Sequence, residues 1–209
     1  MPLMSLPVRS TLVRLNSAKI LLSPGSALST EQYDSLDSVT DIVAPNLLHC
    51  AGVPRAAQAF PKAHLWGVKG VKKQKSDIHW THILGEDVWP YSEELSLVTI
   101  NGISRINETV FIHKESASLI ICDLCFNMTN TKGFGAWLIL NLFGTYRQFA
   151  VSRFFARFIN DKTAFQKSME QLFSYDFDNI IVNHGENIIG NAKSHLLKGL
   201  KARGLGIRP

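Results

Sequence analysis

The stretch Asn107–Asn127, NETVFIHKESASLIICDLCFN, constrains the fold more than any other part of the chain. Two apolar runs, Thr109–Ile112 and Leu119–Cys122, flank the polar connector Lys114–Ser118, and this pattern predicts a β-hairpin. The second strand runs directly into Asp123. A carboxylate at the end of an apolar strand is costly to bury unless it is hydrogen-bonded, paired or bound to a metal. Candidate partners follow other apolar runs, chiefly His49 and His184.

The 209 residues, of which 45% are hydrophobic and 19% charged, suit one large globular domain over 1–209 and can bury a core without disulfides. Cys50, Cys122 and Cys125 make no disulfide framework, which points to a reducing compartment. The N-terminus lacks an apolar core of signal-peptide length and is broken by Pro2 and Pro7. Gly133–Phe143 is too short to span a bilayer, which takes about 20 apolar residues. The expectation is therefore a soluble, cytoplasmic protein with no transmembrane segment. The net charge of +5 is concentrated in Lys69–Lys75 and Lys193–Arg208. No recognition motif accompanies it, so these runs are read as solvated faces and nucleic acid as an unlikely partner.

Along the chain, Thr11–Leu15 and Ala18–Leu22 form a further hairpin around Asn16-Ser17. Ser29 and Gln32 have capping-box spacing for a short helix to Leu36. Asp41–Ala44, His64–Val68, Leu95–Ile100 and Asn179–Val182 are short strands, and Lys69–Trp89 reads as a long loop. Gly52–Phe60, Lys162–Ser174 and Asn191–Arg203 have helical character. Gly135–Ile159 is a helical segment rich in aromatics, bent or interrupted at Gly144, within an aromatic helical insertion over 133–160. Its expected role is core packing and self-association as a homodimer. If exposed, its Arg147, Arg153 and Arg157 would favour an anionic surface.

Three strand ends carry metal-suited side chains: His49 after Asp41–Ala44, Asp123 after Leu119–Cys122, and His184 after Asn179–Val182. Imidazole and carboxylate suit zinc, iron or manganese. A single histidine after a strand is nonetheless more often a hydrogen-bonded structural residue than a ligand. His113 is read as structural, at the far end of the hairpin from Asp123. Glu108, nearer the site end, is the candidate general base. Cys122 and Cys125 form a lone CxxC, with Cys122 expected to face away from Asp123 into the core.

With SPG at Ser23, VAPNLLH at Val43–His49, NETVFIH at Asn107–His113, SLIICDLCFN from Ser118 and VNHGE at Val182, the chain resembles the metallo-β-lactamase-fold superfamily. Within it, the chain looks most like a metallo-β-lactamase-like group of unknown function from bacteria and plants. The resemblance implies an α+β fold, a four-layer αβ/βα sandwich of two mixed sheets flanked by helices, with the site along one edge. In the superfamily motif THxHxDHxGG, His49 falls on the last histidine, while Ala44 and Asn46 replace the first two and Leu48 replaces the aspartate. A further histidine would fall at Ile103. Asp123 matches the aspartate that bridges two metals, and His184 the last histidine.

The resemblance thus implies a reduced, mononuclear centre of His49, Asp123 and His184. It would hold one divalent metal, zinc first, with iron or manganese as alternatives, and act on an ester, thioester or phosphoester of unknown identity. The alternative it leaves open is a non-catalytic relative with no metal that binds a ligand or partner.

Overall fold

The computed structural model describes residues 8–131 and 133–206. The N-terminal prolines and the end of the basic tail at Arg208 lie outside them. Two mixed five-stranded sheets are flanked by helices.

The first sheet has the order β1 (Thr11–Arg14), β2 (Lys19–Leu22), β3 (Asp41–Val43), β4 (His64–Gly67) and β5 (His82–Ile83). Strands β1 and β2 pair antiparallel, and β2 to β5 run parallel. Three short helices connect them. The first, α1 (Thr30–Asp34), is closed by the reciprocal Ser29–Gln32 capping box. The second, α2 (Val53–Ala59), carries Pro54 in its first turn. The third, α3 (Val71–Gln74), lies with β5 inside the segment expected to be a loop.

The second sheet begins with β6 (Leu95–Thr99), β7 (Thr109–His113) and β8 (Ser118–Ile121), joined antiparallel in sequence order. After β8 the chain forms a two-stranded ribbon, β9 (Phe126–Asn127) with β10 (Phe149–Ala150). Between the ribbon strands lies α4 (Phe134–Phe143), and after them come α5 (Arg153–Arg157) and α6 (Lys162–Phe173). Strand β11 (Asn179–Val182) then joins β8 in parallel, β12 (Ile188–Ile189) edges the sheet, and α7 (Ala192–Lys201) closes the fold.

The aromatic segment is therefore not one long helix. Gly144 ends α4 in the left-handed conformation, and Arg203 donates to the carbonyls of both Gly144 and Val151. That contact fixes the bend between the two helices.

Alternation along the second sheet assigns its two faces. Leu95, Phe111 and Ile120 pack toward the first sheet, forming the layer between the sheets. Val110, Ile112, Leu119, Ile121, Ile180 and Val182 pack on the other side with Phe165, Met169, Leu196 and Leu200 of α6 and α7. Strands buried on both faces leave only their ends for chemistry.

Register places those ends. In the parallel pair β8–β11, Ile121 is opposite Val182. Asp123 and His184 each lie two residues past these last strand residues, so they emerge side by side. The loop after β3 is tied to the second sheet by Thr109 N–H donating to the Pro45 carbonyl (2.8 Å) and Leu47 N–H to that of Ile106 (2.9 Å). This brings His49 across from the first sheet.

Candidate metal centre

Asp123, His49 and His184 converge. Nε2 of His184 lies 3.1 Å from Asp123 Oδ1, Nε2 of His49 lies 3.3 Å from Asp123 Oδ2, and the two Nε2 atoms are 3.3 Å apart. All three side chains are largely buried. Three sets of lone pairs thus meet at one point, which requires protons or a cation among them.

The supporting groups hold each member from behind. Nδ1 of His49 lies 2.9 Å from Ser23 Oγ and 3.1 Å from Asn183 Nδ2. The Ser23 hydroxyl can donate or accept there and the Asn183 amide NH2 donates, and together they hold the ring with Nε2 toward Asp123. His184 stacks on Phe126, with ring centroids 4.7 Å apart, and its Nδ1 is buried with no hydrogen-bond partner among the described residues. Gly185, at φ +101°, lets β9 pass close by: a Cβ there would lie 2.0 Å from the Asn127 carbonyl oxygen. Asn127 N–H in turn donates to the His184 carbonyl (3.0 Å).

Asn46 connects two of the three residues. Its Nδ2 donates to Asp123 Oδ2 (2.8 Å), while its Oδ1 accepts from the N–H groups of Leu48 and His49 (2.9 and 3.0 Å). The sequence marked Asn46 only as the replacement of a histidine. Its bridging role follows from the loop geometry, as does that of Asn183.

Glu108 does not occupy the position expected of a general base. It is fully buried. Oε1 accepts from the N–H groups of Cys122 (2.9 Å) and Leu124 (3.2 Å), and Oε2 from that of Asp123 (2.9 Å) and from Asn46 Nδ2 (3.4 Å). Its carboxylate is spent on the backbone that presents Asp123 and has no path to solvent. The sequence placed it at the right end of the hairpin, but its burial depends on the 44–49 loop closing over it.

The electrostatics reflect this crowding. Burial alone would raise Asp123, yet hydrogen bonds from His184 and His49 and their charge hold it well below the usual carboxylate range. Burial opposes the charged form of His49, and Asp123 outweighs it, raising the imidazole above its ordinary value. Burial, and after it the Asp123 charge, push Glu108 up to about 7 against the pull of three backbone N–H groups.

The cluster forms one wall of a cavity of about 200 Å³. Apart from Ser152, the other walls are apolar: Leu48, Ile106, Phe126, Phe143, Phe154 and Phe155.

No protein-family model matches the chain, and no curated protein matches it. Solved structures do. A metallo-β-lactamase from Pontibacter korlensis is similar with a TM-score of 0.62 at 12% identity, over 94% of this chain and 88% of that one. A flavoprotein from Thermotoga maritima is similar with a TM-score of 0.66 at 12% identity, over 94% of this chain and 52% of that one. Rubredoxin oxygen:oxidoreductase from Desulfovibrio gigas gives 0.66 at 12% identity, over 97% and 55%. The chain spans about half the length of these last two.

The chain has the metallo-β-lactamase fold.

Within this fold, the described residues form a candidate ligand group for a divalent cation. A tetrahedral ion with bonds of about 2.0–2.1 Å has its ligand atoms about 3.3–3.4 Å apart; here the two Nε2 atoms are 3.3 Å apart, and each lies 3.1–3.3 Å from a different oxygen of the Asp123 carboxylate. Imidazole nitrogen and carboxylate oxygen are donor types that suit zinc, iron or manganese. The Cys122 thiol also makes a group of three donors with His49 and Asp123, their ligand atoms all within 4.8 Å of one another. Burial and the charges of Asp123 and Glu108 push that thiol well above its ordinary pKa. It also lines an interior cleft with Ser23 and Ile121 rather than the open cavity. His184 is therefore the better third donor.

Ala44 and Ile103 are buried in apolar core, and Leu48 is exposed at the cavity edge. His113 is hydrogen-bonded to Ser116 in the β7–β8 turn (2.8 Å), and His82 stacks on Trp66. Cys122 and Cys125 are free and buried.

Proposed function

We propose that the chain is a metal-dependent hydrolase with a mononuclear centre held by His49, Asp123 and His184. The observation that carries this is the convergence of two imidazole Nε2 atoms, 3.3 Å apart, on the two oxygens of one carboxylate at 3.1 and 3.3 Å, at the wall of a largely apolar cavity. Zinc is the favoured ion, with iron or manganese as alternatives. Bound there, it would supply a Lewis acid and a water of lowered pKa. Ser23 and Asn183 orient the His49 ring, Asn46 orients Asp123, and the phenylalanines of the cavity exclude bulk water. The bond cleaved is an ester, thioester or phosphoester, and the apolar walls favour an acyl group.

One observation favours the alternative of a non-catalytic relative: Asp123 is the single carboxylate lining the cavity among the described residues, and Leu48 stands where the superfamily places its proton-handling aspartate.

Elemental analysis of protein purified without added metal tests the proposal. The expected result is about one zinc, iron or manganese per chain, lost in His184→Ala, with hydrolysis of an acyl-ester panel lost in parallel. A metal-free protein whose stability is unchanged by chelator would support the alternative.

A further inference from the structure

Helix α4 presents an apolar face to solvent. Ala136 and Leu140 anchor it on Met128, beside Phe126 and Tyr146. The opposite face carries Phe134, Trp137, Leu138 and Leu142, exposed by 74, 45, 43 and 62%, and a single polar residue, Asn141. Phe134 and Trp137 stack with centroids 5.4 Å apart. Beyond Leu142 the apolar surface continues through Phe143 onto Phe154, 5.7 Å away, and so to the cavity rim.

Charge says what suits this face. Between Asp123 and Asp161 the sequence has no acidic residue. Arg147, Arg153 and Arg157 are all exposed. Arg153 donates to the carbonyls of Asn141 and Leu142 (3.2 and 3.3 Å), which sets its guanidinium at the end of the apolar face. Arg147 lies over the Tyr146 ring at 5.3 Å. A second copy of the chain would meet this patch with the same patch, so arginines would face arginines with no carboxylate from the segment between them. An anionic lipid surface satisfies both features at once, accepting aromatic and leucine side chains at the headgroup level and pairing guanidinium with phosphate.

We propose that α4 docks the protein on anionic phospholipid membranes, with Phe134, Trp137, Leu138 and Leu142 entering the interface and Arg147, Arg153 and Arg157 contacting lipid phosphates. The helix lies on the bilayer and does not cross it, since no helix among the described residues is long and apolar enough to do so.

The test uses the full chain and vesicles of phosphatidylcholine with and without phosphatidylglycerol. Trp66, Trp80 and Trp89 are buried, so a fluorescence change on binding reports Trp137. The expected result is co-sedimentation with phosphatidylglycerol vesicles, weakened by salt, with a blue shift in emission that Trp137→Phe removes while sedimentation persists. The double variant Leu138→Gln/Leu142→Gln is expected to lower partitioning at least about tenfold. Arg147→Gln/Arg157→Gln is expected to lower it about thirtyfold on anionic vesicles. These sites are exposed, and an unchanged circular dichroism spectrum and unfolding midpoint verify the fold. Absence of vesicle binding overturns the proposal. So does a blue shift that survives Trp137→Phe, or a dimer that Leu138→Gln/Leu142→Gln dissolves in a protein that ignores vesicles.

Discussion

Ser23 Oγ lies 2.9 Å from Nδ1 of His49, on the edge of the ring opposite the nitrogen that faces Asp123. The hydroxyl holds the ring with its other nitrogen toward Asp123. Ser23→Ala removes that partner and leaves Asn183 alone beside Nδ1. Zinc affinity, measured by competition with a chromogenic chelator, is expected to fall about tenfold without loss of the fold. An unchanged affinity would exclude Ser23 from positioning the ring.

Glu108→Gln tests the buried carboxylate. The substitution keeps the shape but turns an NH2 group toward backbone N–H groups that now donate to oxygen. A loss of about 2–4 kcal/mol in urea unfolding is expected. The accompanying shift of Asp123 is expected to reduce metal content. A variant as stable as the parent would show that these backbone groups find other partners.

Gly185→Ala is expected to cost about 3 kcal/mol or more, because the new methyl meets the Asn127 carbonyl and the backbone conformation is one that L side chains rarely adopt. Since β9 also holds His184, metal content should fall with stability, and both are read on the same preparation.

A pH dependence arises away from the centre. Tyr91 donates to Asp41 Oδ2 at 2.6 Å, and burial, then the hydrogen bond and charge of Asp41, raise its pKa. A raised folded value means that the unfolded chain loses this proton first as pH rises. Tyr91 therefore contributes stability below about pH 10, the ordinary tyrosine value, and that contribution is lost as pH rises from there toward the folded value. In Tyr91→Phe the fall above that pH is expected to be shallower, measured as unfolding midpoints across an alkaline series. Identical slopes would refute the assignment.

Strands β8 and β11 were legible because both are apolar runs that stop at polar residues, but their parallel pairing, which sets Asp123 beside His184, was not. His49 was legible as a histidine after an apolar run, but apart from the resemblance nothing local in VAPNLLHCAG distinguishes a ligand from a satisfied loop histidine. The role of Glu108 was not legible. Its position in the hairpin predicts nearness to Asp123, whereas its solvent access is decided by a loop more than fifty residues earlier. The break in the aromatic segment was legible from Gly144 itself, which ends α4 in the left-handed conformation. The contact from Arg203 in the C-terminal turn that holds the bend is one that no local pattern reveals. For the same reason the outward face of α4 could not be separated from its anchored one.

Two of the three donor residues hang from neighbouring strands of one sheet, and the third arrives from the other sheet on a loop held by two backbone hydrogen bonds. A cation among them would act as a rivet across the seam between the halves of the sandwich. Its removal should loosen the molecule along that seam first, so that proteases given the metal-stripped protein would cut the loop between β3 and α2 before any other part of the core.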